Sequence, residues 1–186
     1  MGEPTLDLIA SRRVVRAMTD EPVAREDLER ILEAGRWAPV GGNQRTVRFV
    51  VVQDPATLRL LRMVSPGMLQ RPKAAVVLCL DRDVAEAEGF SQTDPTPSYD
   101  VGTTLQTMLL AAHALGLGAG PVSSCAWEAV AVVLNLPPSL LPRMIVCIGH
   151  ASPLAEQMPM RGPKVTWRDL TRWERYSVPP EGAAGG

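Results

Sequence analysis

The chain has 186 residues, of which 46% are hydrophobic and 21% charged, so its composition excludes wholesale disorder and allows a substantial core. Nineteen Lys and Arg against twenty Asp and Glu give a formal net charge of −1. This balance excludes a global positive field that would gather nucleic acid or an anionic membrane.

Targeting and redox features predict a cytoplasmic protein. The first residues lack a basic stretch followed by an apolar core, so they do not resemble a signal peptide. The longest apolar stretch, 105–119, is too short to cross a membrane. Cys79, Cys125 and Cys147 show no C-x-x-C spacing, and the apolar runs around Cys79 and Cys147 predict buried thiols in a reducing compartment.

The first third of the chain predicts helices, a loop and a strand. Leu28, Ile31 and Leu32 form an apolar stripe at helical spacing, while the charged residues between them point away. Asp54 before Pro55 suits the cap and first turn of another helix. The expected elements are a helix over 5–11, a helix over 24–37, a loop at 41–43, a strand over 49–53 and a helix from 54 to 63.

The rest of the chain predicts a buried strand and more helices. The continuous apolar run 74–80 indicates a central strand covered on both faces. Residues 81–100 are acidic and Pro-rich, which predicts a loop with one helical turn or a mobile lid. Further on we expect a helix over 103–117, a helix over 125–134, a strand over 144–148, and a helix over 167–176 begun by a Thr166-x-x-Asp169 capping box.

The order of these elements predicts an α+β fold. Helices and strands do not alternate in a βαβ rhythm, so helices are expected to cover a central sheet. Residues 1–150 are expected to form the core. Residues 151–176 contain too few apolar side chains for a core of their own and are expected to wrap another surface, which in a homodimer would be the partner subunit. The tail, 177–186, is expected to be disordered.

A cluster of arginines lies near the amino end of the chain. Arg12, Arg13 and Arg16 place three guanidinium groups within five residues of an otherwise neutral protein. The planar guanidinium pairs well with phosphate and stays charged, so the cluster is a candidate anion site. A basic stretch exposed to solvent is the alternative, and charge alone leaves both interpretations open.

Two glycine-containing segments are candidate ligand loops. In 38–43 (APVGGN), small residues allow close approach of the backbone, and Asn43 offers both a donor and an acceptor. An ordinary loop between a helix and a strand is the alternative. The second segment, 116–121 (GLGAGP), closes a helix instead of opening one, so we reject a Rossmann dinucleotide site; a helix C-cap explains at least one of its glycines.

The sequence lacks the residues that other catalytic mechanisms require. Only two histidines are present, which excludes a three-histidine metal site, and no H-E-x-x-H, G-x-S-x-G or P-loop motif occurs. We therefore predict no metal site. Redox chemistry that depends on a cofactor is the class that remains.

Taken together and in order, these segments resemble the FMN-dependent nitroreductase family. The resemblance extends over residues 6–176. It is carried by Ile9–Arg16, the pattern L-x-x-I-L-E-A at 28–34, Ala38-Pro39 with Gly41-Gly42-Asn43, Phe49–Val52, the pattern D-x-G-x-x-L-Q-x-M-L-L-A-A at 100–112, Leu115–Gly118 and Val146–Gly149.

This resemblance implies an intertwined homodimer with a mixed or antiparallel sheet, and an FMN site built by both subunits. Arg12, Arg13, Val14 and Arg16 are then expected to contact the FMN phosphate, ribityl chain and pyrimidine edge, with Arg161 as a second phosphate partner. Pro39, Val40, Gly41 and Asn43 are expected to approach from the other subunit. Gly120, Pro121 and Val122 are expected near the central ring.

The resemblance also implies ping-pong chemistry. NADH or NADPH would reduce the flavin and leave, and a small organic acceptor such as a nitro compound or a quinone would take its place. No side-chain nucleophile is needed, so no catalytic side chain is named. The chain has Arg45, Thr46 and Val47 where the family usually has Gln-Pro-Trp. Other flavin chemistry (oxygen-dependent flavin breakdown or substrate dehydrogenation) and a non-catalytic flavin-binding dimer therefore stay open.

Overall fold

The structure is a computed structural model that describes residues 3–153 and 165–175. Its helices are α1 (Pro4–Ser11), α2 (Arg25–Arg36), α3 (Pro55–Met63), α4 (Arg82–Ala87), α5 (Thr96–Ala114), α6 (Trp127–Val133) and α7 (Trp167–Leu170). Its strands are β1 (Val47–Val52), β2 (Ala74–Asp81), β3 (Gly118–Val122) and β4 (Leu140–Gly149). A short 3₁₀ turn spans Gly41–Asn43.

The strands form one antiparallel sheet in the order β1-β2-β4-β3. Residues 74–80 of β2 are all buried, as predicted for a central strand covered on both faces. The register between β2 and β4 shifts at Cys79, which lies opposite Pro142. A bulge fits this point because proline has no N–H to give to the ladder.

Helices cover both faces of this sheet. On one face α2 and α5 pack over a core cluster that includes Ile31 and Met108. On the other face α3 and α6 pack over a second cluster that includes Leu61 and Val130. The predicted α+β architecture with a helix-covered antiparallel sheet is confirmed.

The helices with strong local signals lie where the sequence predicts them. The apolar stripe of α2 is buried at Leu28 and Ile31. Asp54 caps α3, with its Oδ2 accepting from the backbone N–H of Thr57 (2.8 Å). At the C-terminal end of α5, Gly116 has a φ of +75°, which ends a helix readily because glycine has no Cβ.

The prediction for residues 81–100 is wrong in part. This segment contains α4, and α5 begins at Thr96 instead of Thr103 and ends at Ala114. Pro97 lies in the first turn of α5, where a missing N–H costs nothing, and Asp94 accepts a hydrogen bond from the Thr96 N–H (2.8 Å). The prolines that suggested a loop therefore mark the start of a helix.

Other predicted bounds differ from the structure. Strand β4 begins at Leu140 instead of Met144, and β3 forms a strand directly after the end of α5. The last helix is a single turn, α7, although its capping box between Thr166 and Asp169 is confirmed. So short a helix needs packing partners to persist, and Leu170 is 74% exposed.

No helix within the described residues is long and apolar enough to cross a membrane.

Candidate functional site

The arginine segment, residues 12–16, lies against the edge strand β3. The backbone N–H of Val15 donates to the carbonyl of Ala119 (2.9 Å). Farther along, the Thr19 N–H donates to the carbonyl of His150 (2.9 Å), and Met18 pairs with Ala151. The segment is therefore ordered by main-chain hydrogen bonds and is not a free basic tail.

Three glycines make room for this segment at one corner of the sheet. Gly118 lies opposite Gly149 in the β3–β4 register, and Gly120 lies two residues further along the same face. A Cβ on Gly118 would lie 2.8 Å from Cγ1 of Val15, and one on Gly149 would lie 3.0 Å from the sulfur of Met18. These glycines are required by close packing of the chain on itself.

Arg12 carries a buried and unsatisfied donor. Its Nη1 is inaccessible to solvent and has no hydrogen-bond partner among the described residues. A buried guanidinium N–H without an acceptor is costly, so the arrangement favours an anionic ligand at this point. Arg13 and Arg16 of the same segment are exposed. The buried Nη1 of Arg12 fits an anion site, whereas the exposed Arg13 and Arg16 are equally compatible with a solvated basic stretch.

Gln70 is a functional candidate that sequence reasoning missed. Its side chain is 2% exposed, and its Oε1 is buried without a hydrogen-bond partner in the described part of the chain. Its Nε2 lies 2.5 Å from where a Cβ of Gly120 would be, and Val14 borders the same point. A buried amide with a free acceptor therefore lies beside the arginine segment.

A pocket of about 390 Å³ adjoins the segment, and its lining includes Ser11, Arg13, Val15, His113 and Gly118. Ser11 and His113 form a hydrogen bond of 3.0 Å between Oγ and Nε2. The serine hydroxyl also lies within hydrogen-bond distance of the Leu8 carbonyl (3.3 Å), so the helix backbone competes with the imidazole for its proton.

The second predicted loop, Pro39–Asn43, lies on the other end of α5. The Gly41 N–H donates to Oδ1 of Asp100 (3.0 Å), and the Thr103 hydroxyl donates to the Pro39 carbonyl (2.8 Å). The amide of Gly41 is therefore already used within the chain. Val40 is half-buried, whereas Pro39 and Asn43 are exposed.

The two candidate half-sites are separated within one chain. Ser11, next to Arg12, bonds His113 in the last turn of α5, whereas Pro39 and Gly41 bond Thr103 and Asp100 near its start. At 1.5 Å per residue, ten residues of helix separate the two anchoring points by about 15 Å. The structure brings Val14, Val15 and Gly120 together, but it does not bring the Pro39–Asn43 loop to the arginines.

The remaining predicted residues lie on β3 or outside the described residues. Pro121 is half-buried and has no N–H, and the side chain of Val122 is 3% exposed in the core under α3 and α6. Arg161 lies outside the residues that the structure describes.

Two of the three thiols are buried and unactivated. Burial raises the pKa of Cys147 to about 12 and that of Cys79 to about 11, so both thiols stay protonated near neutral pH. The prediction that they are buried is confirmed. Across residues 3–153 and 165–175, no group of His, Cys, Asp and Glu side chains is arranged to hold a metal ion.

Comparison with known proteins decides the family. A model of the nitroreductase family matches residues 9–95 and 72–150, which together cover well over half of the chain. The chain belongs to the nitroreductase family. The resemblance stated from the sequence is confirmed.

Relatives of this nitroreductase-family chain agree over most of its length. A protein of Rhodopseudomonas palustris named for NADH dehydrogenase or NAD(P)H nitroreductase activity is 30% identical over 197 residues, covering 92% of this chain and 97% of its own. The FMN reductase (NAD(P)H) of Bacillus subtilis is 28% identical over 167 residues, covering 81% and 67%.

A solved structure gives the same result for the fold. A Bacteroides thetaiotaomicron protein with the same kind of name as the R. palustris relative superposes with a TM-score of 0.79 at 27% identity, covering 95% of this chain and 100% of that one.

Proposed function

We propose that this nitroreductase-family protein is an FMN-dependent oxidoreductase that uses NADH or NADPH as its reductant. The observation that carries the proposal is the buried Nη1 of Arg12, which has no hydrogen-bond partner among the described residues and lies in a segment held against β3. The names of its relatives, which include an FMN reductase and proteins named for NAD(P)H nitroreductase activity, support the same class of enzyme.

The residues around Gly118, Gly120 and Gly149, which we call the glycine corner, fit a phosphorylated flavin. Arg12 offers a charged donor for a phosphate, and Arg13 and Arg16 add positive charge on the same segment. Gln70 offers a free amide oxygen, the kind of acceptor that a ring N–H requires. The corner therefore supplies groups for both the anionic end and the ring of the cofactor.

The cofactor would supply the two-electron redox chemistry that the side chains of this protein lack. The role of the protein is to bind the cofactor and to tune its tendency to accept electrons. Positive charge from the arginine segment favours the anionic form of a reduced ring. Val14 and Val15 place apolar surface beside Gly118 and Gly120, and an apolar surface there strengthens electrostatic interactions by excluding water.

A complete site requires a second copy of the chain. The Pro39–Asn43 loop is anchored near one end of α5 and the arginine segment near the other, so an antiparallel arrangement of two chains would join them. Two large side chains near the loop are exposed and available for contact with a second chain: Trp37 is 70% and Tyr99 is 66% exposed. We infer a homodimer, with the apolar residues of 165–175 covering the partner.

The acceptor is proposed to be a small organic molecule such as a nitro compound or a quinone, reduced in a ping-pong cycle. Arg45 is exposed and bonds the Ala38 carbonyl through Nη1 (3.4 Å), whereas Thr46 is fully buried. A guanidinium at this point changes the charge of the loop, so the preferred acceptor is expected to differ from that of relatives with the Gln-Pro-Trp pattern.

Purification of the full chain tests the proposal. The protein should be yellow or should become yellow with added FMN, lose colour with NADH or NADPH without oxygen, and regain it with a nitroaromatic or a quinone. A protein that stays colourless with excess FMN would overturn the proposal. A yellow protein that neither nucleotide bleaches would leave a flavin-binding dimer without this activity.

A further inference from the structure

Asp100 and Thr103 hold the Pro39–Asn43 loop from one face of α5. Oδ1 of Asp100 accepts from the Gly41 N–H (3.0 Å), and the Thr103 hydroxyl donates to the Pro39 carbonyl (2.8 Å). The two side chains lie one turn apart, so they bond the loop at points two residues apart. These two hydrogen bonds join the backbone of the loop to helix α5.

Burial of the Asp100 carboxylate costs free energy. Asp100 is 4% exposed, and its Oδ2 has no partner within residues 3–153 and 165–175. A buried carboxylate must lose its hydration, and one hydrogen bond replaces only part of it. The described hydrogen bond of this side chain goes to the loop, so the residue is better explained by the loop that it holds than by stability alone.

The held loop includes one residue whose backbone conformation is unfavourable without support. Gly42 (φ +59°) adopts the left-handed region freely because it has no Cβ, whereas Asn43 (φ +60°) is strained there. A Cβ on Gly41 would overlap Cγ2 of Thr96, so the loop is seated directly on α5. Backbone strain of this kind persists only where surrounding contacts determine it, and it concentrates at ligand sites.

We propose that Asp100 and Thr103 are positioning residues that set the Pro39–Asn43 loop for flavin binding by the partner subunit. They act through Gly41 and Pro39 and do not touch the cofactor themselves. This inference rests on the proposed function, because it takes the loop as one half of the flavin site.

The test compares four variants of the full-length protein: Asp100→Ala, Asp100→Asn, Thr103→Val and the control Thr107→Val. Thr107 lies one turn further along α5, and its hydroxyl donates to the Thr103 carbonyl within the helix (2.8 Å). FMN affinity is measured by quenching of flavin fluorescence. The exchange rate of the Gly41 amide is measured in the flavin-free protein, which gives a readout independent of activity.

Asp100→Ala and Thr103→Val should each weaken FMN binding by about tenfold, the loss expected for one hydrogen bond to a held loop. Asp100→Ala should also speed exchange of the Gly41 amide. Asp100→Asn should stay within about threefold of the original affinity, because its amide oxygen still accepts from Gly41. Thr107→Val should bind FMN like the original protein.

Unchanged FMN affinity in both Asp100→Ala and Thr103→Val would overturn the inference. So would a loss in Asp100→Asn as large as that in Asp100→Ala, because the Gly41 bond would then not be the cause. If Asp100→Ala does not fold, Thr103→Val decides the question. An original protein that binds no FMN would refute the proposed function instead, and that outcome is seen before any variant is made.

Discussion

Val15 donates its backbone N–H to the carbonyl of Ala119, and this bond places the arginine segment on the edge strand β3 (2.9 Å). The bond explains how a stretch with three guanidinium groups is ordered along β3. It also explains why Gly118 and Gly120 flank Ala119: side chains at either position would push the segment away from β3.

The first prediction concerns Arg12. Arg12→Ala should weaken FMN binding by about 1–3 kcal/mol, because a charge-assisted hydrogen bond and its desolvation contribute that amount. Arg12→Lys should recover part of the loss, since lysine keeps the charge but not the planar fork. Arg25→Ala is the matched control, because Arg25 is an exposed arginine of α2 paired with Glu29. Flavin affinity measured by fluorescence titration that does not change in Arg12→Ala would refute the role of this residue.

The second prediction concerns the glycine corner. Gly118→Ala should lower the free energy of unfolding by about 1–3 kcal/mol, because the added methyl overlaps Val15. FMN affinity should fall as well, since the arginine segment must shift. Gly102→Ala is the control, because a Cβ there meets nothing within 4 Å and a helix favours alanine by up to about 1 kcal/mol. Urea unfolding measures both variants, and equal stability of the two would contradict the packing argument.

The third prediction separates stability from binding at Gln70. Gln70→Leu should leave the flavin-free protein as stable as before or more stable, because an unpartnered buried oxygen costs about 1–3 kcal/mol. The same change should weaken FMN binding by about tenfold or more, because the free acceptor is lost. Gln53→Leu should show the opposite pattern, since Gln53 bonds the Val23 carbonyl (3.0 Å) away from the site. A Gln70→Leu protein that binds FMN normally would remove this residue from the site.

The fourth prediction concerns the C-terminal segment. Leu170→Glu should shift the dimer–monomer equilibrium toward monomer by about tenfold or more, because the glutamate would be buried without a partner. Leu60→Glu is the control, an exposed leucine on α3 that is 48% accessible. Sedimentation velocity measures the equilibrium. If the Leu170→Glu protein remains as dimeric as the Leu60→Glu protein, this segment does not wrap the partner.

The parts of the fold that the sequence predicted are those with local signals. The stripe of Leu28 and Ile31 predicts α2 because helical periodicity depends only on near neighbours. Asp54 predicts the start of α3 for the same reason, since a cap bonds within three residues. The start of α5 was mistaken because Pro97 is compatible both with a loop and with a first helical turn.

The candidate site was predicted only in part, for a related reason. Clustered arginines are visible in the sequence, so Arg12 was found directly. Gln70 was not, because a glutamine between Leu69 and Arg71 gives no sign that it will be buried. Its burial arises from Gly120, fifty residues away along the chain, which leaves space for the amide. The bond between Asp100 and Gly41 depends on tertiary structure in the same way.

The central claim is that one flavin site combines the Arg12 segment of one chain with the Pro39–Asn43 loop of another. The most direct test is complementation between Arg12→Ala and Gly41→Val chains carrying different tags, where the valine displaces the loop from Thr96. A heterodimer purified through both tags should bind one FMN, because one of its two sites combines an intact arginine segment with an intact loop. Each parent homodimer should bind FMN weakly or not at all. A heterodimer as poor in flavin as its parents would contradict the account, because each site would then lie within a single chain.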